Sequence, residues 1–409
     1  MLFSKRSGFA TNALEEDDAL AFDLERKGAK VIHLNRGDPA EYFETPSYIK
    51  EAYIKAIKEN KTHYTQTTGI PELREAVANR YKRKFGIDFD PSGVIVTYGV
   101  SEALYILNAA LIDPGDPAVI FRPFYPLYVP FIELSEGVAY MHDYDEKSGW
   151  SIDTDAFSKH IKEAFKKLKR KPKYMLITNP NNPTGTVLSR QVLEDLADIA
   201  NDNSMLIVSD EIYDEIIFNG AKFTSIAEVA KGMPYVILNG ASKDYISTGF
   251  RIGYMIVPGN DAVSNALKEK FSNFASVRIS VNAPAQYAVA EAISNEREHD
   301  KSIKELVRSI EDRVNFSMRL LNENPYLETV RPNSAFYIFS RIDLKPLGFT
   351  KDKEFTDAFL KEKYVQIARG SGFGSPNHIR IVALPSKEVL GEAITRLNDF
   401  CAERAKQHK

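Results

Sequence analysis

The chain predicts an α/β fold: a mostly parallel, seven-stranded sheet in a large domain, with a smaller α+β domain beside it. Three observations carry this expectation. Between residues 94 and 257, seven short apolar or β-branched runs alternate with helical patterns, as in a parallel sheet covered on both faces. Beyond residue 280 the pattern changes to a long helical stretch followed by separate strands and helices, the mark of an α+β unit. With 409 residues the chain exceeds one ordinary compact core, so two domains are expected, 46–280 for the large one and 1–45 plus 281–409 for the small one.

Taken in order, Glu16 to Gly28 reads as an amphipathic helix stopped by its glycine. Val31–Leu34 then leads into Asn35-Arg36-Gly37-Asp38-Pro39, a loop whose Gly37 lets backbone approach a ligand closely. A helical pattern from Thr45 to Glu59 is broken by Tyr64 to Pro71, and Pro71 suits the first turn of the next helix, Glu72–Phe85. The strand Val94–Thr97 runs through Gly99 into a helix ending near Leu111. Free N–H groups at that helix start, with the Ser101 hydroxyl, suit an anion. Ala118–Phe121 leads into a proline-held segment containing Tyr125, placed either to stack on a flat ligand or to cover the core.

Val138–His142 is the third strand, and the basic run Lys166–Lys173 ends the following helix, where cations suit the macrodipole. Tyr174–Thr178 opens onto Asn179-Pro180-Asn181-Asn182-Pro183-Thr184-Gly185, a dense turn. A helix, Gln191–Asp202, precedes the strand Met205–Ser209, which runs into Asp210. That aspartate is either a helix N-cap or a partly buried carboxylate needing a cationic or hydrogen-bonding partner. Tyr235–Asn239 is followed by Ser242 and Lys243, then Ile252–Val257 and a helix over Asp261–Phe274. Lys243 is either a solvated loop lysine or an amine at a buried strand end, its pKa lowered to suit imine formation. Arg251, eight residues on, is a surface arginine or a permanent cation for a phosphate. Gly99, Tyr125, Asn182, Asp210 and Lys243 all fall just past carboxyl ends of strands, where open α/β sheets bind ligands.

The remainder reads as a helical stretch from Ala285 to Asn322, strands at Ala335–Ser340 and Ile379–Ala383, and a last helix over Lys387–Lys406. Arg380, among apolar strand neighbours, is an edge charge or a buried carboxylate clamp. The run Arg369 to Gly374 lacks the third glycine of a dinucleotide loop. A formal charge of −3 with 44% hydrophobic and 11% aromatic residues suits a soluble globular protein without a nucleic-acid or membrane role. The single cysteine, Cys401, allows no intramolecular disulfide and no multi-cysteine metal site, so no metal is expected. The acids Glu15 to Asp18 follow Lys5 and Arg6 without an apolar segment, so no leader is expected and the cytoplasm is the expected location.

These residues resemble the fold-type-I, pyridoxal-phosphate-dependent aminotransferases of the class I/II group, most closely the alanine-type enzymes. The resemblance rests on Asn35–Pro39, Tyr64–Arg74, Gly99–Leu104, Pro123–Pro126, Asn179–Gly185, Asp210–Tyr213, Ser242-Lys243 with Gly249–Gly253, and His378–Ile381, all in the family's order. It implies pyridoxal 5'-phosphate as cofactor and transamination between an L-amino acid and 2-oxoglutarate through aldimine and ketimine intermediates. Alanine is the favoured donor; aspartate or an aromatic amino acid is possible. It implies that Lys243 is the catalytic lysine, that Asp210 pairs with the ring nitrogen, that Tyr213 and Asn182 hold the ring oxygen, and that Tyr125 stacks on the ring. Val100, Ser101, Ser242 and Arg251 match cofactor- and phosphate-binding positions, Tyr64 a ligand from the other subunit of a homodimer, and Gly37, Asn182 and Arg380 the substrate side. Two positions depart from the pattern. Gly240 stands where a phosphate-binding serine is frequent, and Asn12-Ala13-Leu14-Glu15 stands where a Tyr-x-x-Arg segment is frequent. A carbon–sulfur β-lyase using the same cofactor is the alternative. A Ser-x-x-Lys acyl-enzyme at Ser47–Lys50 lacks its partner motifs.

Overall fold

A computed structural model describes residues 2–8 and 13–408. The large sheet has seven strands: β1 Val94–Tyr98, β2 Pro117–Arg122, β3 Val138–Asp143, β4 Tyr174–Thr178, β5 Leu206–Asp210, β6 Tyr235–Gly240 and β7 Ile252–Ile256. Their spatial order is β1-β7-β6-β5-β4-β2-β3. Only β7 runs against its neighbours β1 and β6, so the carboxyl ends of the other six point one way, and the start of β7 meets them there.

Alternate strand residues enter different cores. Val119, Ile177, Ile207 and Ile237 face one apolar cluster, while Ile120, Leu176, Val208 and Val236 face the other. This is why the strands are apolar throughout. Helix Arg190–Asp202 shows how the cover is made. Ser189 caps it by accepting from the Val192 N–H, and Leu193, Leu196, Ala197 and Ala200 form one buried stripe at helical spacing.

A second, antiparallel sheet contains β8 Leu327–Thr329, β9 Tyr337–Ile342, β10 Ala368–Arg369 and β11 His378–Val382, in the order β10-β11-β9-β8. Its core includes Leu306, Ile310 and Val314 from helix Glu296–Leu321 and Leu390, Ile394 and Leu397 from helix Lys387–Gln407. Ile32–His33 pairs in parallel with Val365–Gln366, which carries the following loop, Asn35–Asp38, to the rim of the large sheet.

The seven runs expected from sequence are all strands of the large sheet, with ends shifted by a residue or two. The helical stretch expected over Ala285–Asn322 is two helices, Ala283–Ser294 and Glu296–Leu321. Asn295 leaves helical geometry between them and its side chain accepts from the Glu298 N–H, capping the second helix. The first helix packs into the large-sheet core through Ala285, Ala288, Val289 and Ala292. Helix Asp352–Lys363 and the short strands β8 and β10 carry no clear pattern in the sequence and were not expected.

Candidate active site

The rim where the carboxyl ends of β1, β2, β4, β5 and β6 meet the start of β7 encloses a cavity of about 610 Å³. Each of these strand ends contributes a residue expected from sequence: Val100 and Ser101 after β1, Tyr125 after β2, Asn182 after β4, Asp210 at the end of β5 and Tyr213 after it, Ser242 and Lys243 after β6. Arg251 enters at the start of β7, while Gly37 and Arg380 come from the N-terminal loop and β11. Tyr64 is not among them; it stands on the surface, 78% exposed. A second cavity, about 720 Å³, lies beside this one under Phe22, His33 and Arg313 and contains none of the expected residues.

Lys243 Nζ donates to the Gly37 carbonyl oxygen at 2.7 Å. Burial pushes its ammonium down to about 8, and the Arg251 and Arg380 cations push the same way against Asp38 and Asp210. Asp210, the last residue of β5, is fully buried, which raises its carboxyl to about 6. Two donors pull it back: the Tyr128 hydroxyl at 2.7 Å and the Ile212 N–H at 3.3 Å. Tyr128 also touches the Thr178 hydroxyl at 2.8 Å, so its ring is held from two sides.

Arg380 is not an edge charge. It is 2% exposed in β11, an internal strand, with its guanidinium 4.6 Å from the Tyr337 ring centre and 4.5 Å from that of Phe373. Nη1 donates to Asn182 Oδ1 at 3.0 Å and Nη2 to the Asn35 carbonyl, while Nε has no partner. No carboxylate pairs with it among the described residues. Tyr213 and Tyr337 join hydroxyls at 2.8 Å on the same wall.

The opposite wall is built for an anion. Helix Gly99–Leu111 points its N-terminus there, and Gly99 takes φ +67°, a backbone that favours glycine. A Cβ on Gly99 would stand 2.6 Å from Arg251 Nη2, so the bare residue is what lets the guanidinium lie beside the helix start. Arg251 itself takes φ +56° and donates from Nη1 to the Thr248 carbonyl at 3.2 Å. The departure at Gly240 has a physical reason. Gly240 pairs with Gly253 across β6 and β7, and a Cβ on it would stand 2.8 Å from Gly253 Cα and 2.8 Å from the Ile252 carbonyl oxygen. A serine there would force the strands apart; Ser101 and Ser242 are the serines that line the cavity. Of the other departure, Asn12 lies outside the described residues and Glu15 lines the cavity.

Sequence reasoning missed Tyr128, Tyr337, Asp38, Asp18 and Arg36. Asp38 accepts from the Thr248 hydroxyl at 2.7 Å; Arg36 donates to Asp18 from Nε at 3.1 Å and from Nη2 at 2.5 Å. Arg36 stands between two residues whose carbonyls touch Arg380 and Lys243, a neighbourhood that its place in the Asn35–Pro39 loop does signal. No cluster of three or more metal-ligating side chains occurs among the described residues.

The donor set fits pyridoxal phosphate. A helix start with an arginine suits a phosphate, a buried carboxylate raised in pKa suits a protonated ring nitrogen, and a buried amine lies opposite. Fold and site together define a fold-type-I pyridoxal-phosphate enzyme. The chain belongs to the class I and II aminotransferases, whose family model matches residues 29–397. It is 33% identical over 386 residues to an aspartate aminotransferase of Bacillus sp. (strain YM-2), covering 93% of this chain and 94% of the relative. It is also 33% identical to the glutamate-pyruvate aminotransferase of Haemophilus influenzae, covering 94% and 93%. Among solved structures, the alanine aminotransferase of Pyrococcus furiosus superposes with a TM-score of 0.92 at 36% identity, covering 98% of this chain and 100% of the other.

Proposed function

We propose that the protein transfers an amino group between an L-amino acid and 2-oxoglutarate, with alanine favoured over aspartate or an aromatic amino acid as donor. Arg380 carries this reading. A fully buried guanidinium with a spare donor and no acid partner is costly until an anion completes it, and an amino acid's α-carboxylate fits it bidentately. The base and the carboxylate that the chemistry needs, Lys243 and Asp210, line the same cavity.

Pyridoxal phosphate bound here would supply an electron-withdrawing ring that stabilises negative charge at the substrate's Cα. Arg251, Ser101, Ser242 and the N–H groups near Val100 would hold its phosphate; Asp210 would face the ring nitrogen, Tyr213 and Asn182 the ring oxygen, and Tyr125 the ring face. Lys243 Nζ, with its pKa near 8, has a substantial neutral fraction at physiological pH and removes the Cα proton as a general base. Arg380 holds the carboxylate still while it does so, which converts binding energy into alignment. Tyr128 and the Ile212 N–H keep Asp210 oriented and oppose the effect of burial.

Arg36 supports a dicarboxylic acceptor. Asp18 takes two of its donors, Nε and Nη2, through one oxygen, and Arg36 lines the cavity with Nη1 left over for a second carboxylate. Relatives named alanine and glutamate-pyruvate aminotransferase support alanine as the donor, and equally similar ones named aspartate aminotransferase keep aspartate as the second. We read the active form as a cytoplasmic homodimer in which the exposed Tyr64 serves the neighbouring site; no helix among the described residues is long and apolar enough to cross a membrane. The test is purified protein with cofactor, 2-oxoglutarate and each amino acid in turn, scored for glutamate. Alanine is expected to react fastest. Pyruvate and ammonia from a cysteine conjugate without any oxo acid, with no glutamate from any donor, would replace this reading by β-elimination.

A further inference from the structure

Behind the cavity lies a second polar cluster that the chemistry above does not use. Asp214 follows Tyr213 and Asp244 follows Lys243, yet neither acid lines the cavity, and both are buried. Their carboxyls are in hydrogen-bond contact. Arg80, from helix Pro71–Phe85, closes the group: Nη2 donates to Asp214 Oδ2 at 2.7 Å and stands 3.4 Å from Glu215 Oε1. One turn on, Lys84 pairs with that same Glu215 oxygen, and His299 from helix Glu296–Leu321 meets the other. Asn239, near the end of β6, donates to Asp214 Oδ1 at 3.3 Å. Tyr245 stacks on His299 with ring centres 4.3 Å apart, so the residue after Asp244 is fixed as well.

Two cations, Arg80 and Lys84, here face three acids, Asp214, Glu215 and Asp244. Two carboxyls in contact away from water do not both ionise; one keeps a proton. Geometry says which. Both Asp214 oxygens accept, from Arg80 and from Asn239, whereas Asp244 Oδ1 has no partner. Burial and the neighbouring Asp214 charge hold Asp244 well above the usual carboxylate range, while Arg80 and Lys84 outweigh burial at Asp214 and hold it low. Around the pair, Tyr81, Tyr245, Tyr254 and His299 are neutral, the last pushed down to about 3 by burial; Glu211, raised to about 8 by burial, also faces Asp214, and the Asp300 carboxylate faces Lys84 and His299 from outside.

We propose that Asp244 is a positioning residue whose neutral carboxyl, donating to Asp214, latches the turn carrying Lys243 to the turn carrying Tyr213, with Arg80 as the pin behind both. The latch rests on Lys243 and Tyr213 working together in the proposed transamination. Its charge state, by contrast, belongs to the protein alone.

The test compares Asp244→Asn, which keeps a donor without an ionisable proton, with Asp244→Ala, which keeps neither. In a difference infrared spectrum at about pH 7, wild type is expected to show one protonated-acid carbonyl band more than Asp244→Asn, beyond the band of the buried Glu211 that both keep. In the apoprotein, the pH midpoint for labelling Lys243 with an amine reagent should match wild type in Asp244→Asn and move in Asp244→Ala. The Asn variant is expected to keep kcat within roughly threefold, and the Ala variant to lose roughly tenfold or more with KM nearly unchanged. A native proton that the unfolded chain has released makes wild-type stability fall as pH rises. Asp244→Asn should therefore melt above wild type at about pH 8, the gap closing toward about pH 5. No difference in the carbonyl band, a tenfold loss in Asp244→Asn, or a wild-type labelling midpoint and kcat in Asp244→Ala would each overturn the latch. Should Asp244→Ala not fold, the Asn variant decides alone. A wild type without transaminase activity would sink the proposed reaction, and the infrared and labelling results would still decide the latch.

Discussion

Arg80 and Arg380 are equally buried, each 2% exposed, and differ in what faces them. Arg80 meets Asp214 and Glu215 and closes a balanced cluster beneath the turns of β5 and β6. Arg380 meets an amide oxygen, a backbone carbonyl and two aromatic rings, so its charge is unanswered among the described residues. A buried charge with its counter-ion built in is balanced within the scaffold; one without stays costly, and in the proposed reaction the substrate carboxylate would answer it. The same contrast separates Lys84, held by Glu215, from Lys243, held by a neutral carbonyl.

The largest effect expected is at Lys243. In Lys243→Met, kcat should fall by roughly a thousandfold through loss of the base. The same change should stabilise the apoprotein. A native pKa of about 8 against 10.5 for a free lysine means that the folded state disfavours the ammonium. Near pH 7 that costs roughly 3 kcal/mol, a cost regained as pH rises from about 8 to about 10.5. Denaturant titration of both apoproteins across that range measures it, and a less stable Lys243→Met would break the contrast.

Next comes the arginine pair. Arg80→Met should lose about 3–5 kcal/mol of stability, because it strands the buried Asp214, while Glu215 keeps Lys84. Arg380→Met should leave the apoprotein as stable as wild type or more so, while kcat/KM falls by about a hundredfold. Equal destabilisation of the two variants would erase the distinction. The smallest effect sharpens it at the cavity mouth, where Arg36 is only half answered by Asp18. Arg36→Gln should lower kcat/KM for 2-oxoglutarate about tenfold and leave that for pyruvate unchanged.

Much of this was legible in the sequence for a specific reason. Residues at strand ends inherit their place from the strands, and strands buried on both faces announce themselves as apolar runs; hence Gly99, Tyr125, Asn182, Asp210 and Lys243 could be put at one rim from local pattern alone, and the last four line the cavity. What was not legible depends on partners far apart in the chain. Arg80 and Asp214 are 134 residues apart, and Tyr213 and Tyr337 are 124 apart. Tyr128 reads as a core aromatic until the turn after β2 aims its hydroxyl at Asp210. Gly240 read as a missing phosphate ligand because its cross-strand neighbour, Gly253, is visible only in the β6–β7 register.

The loop Asn35–Gly37 has a further consequence. Two carbonyls of one tripeptide take a hydrogen from Arg380 and from Lys243 in the same arrangement. An anion that claims Arg380 competes with the first, and any bond made by the Lys243 amine competes with the second. Ligand affinity and the placement of this loop are thereby two readings of one equilibrium, and each must shift the other by the same factor. A probe on the loop would report site occupancy without touching the ligand.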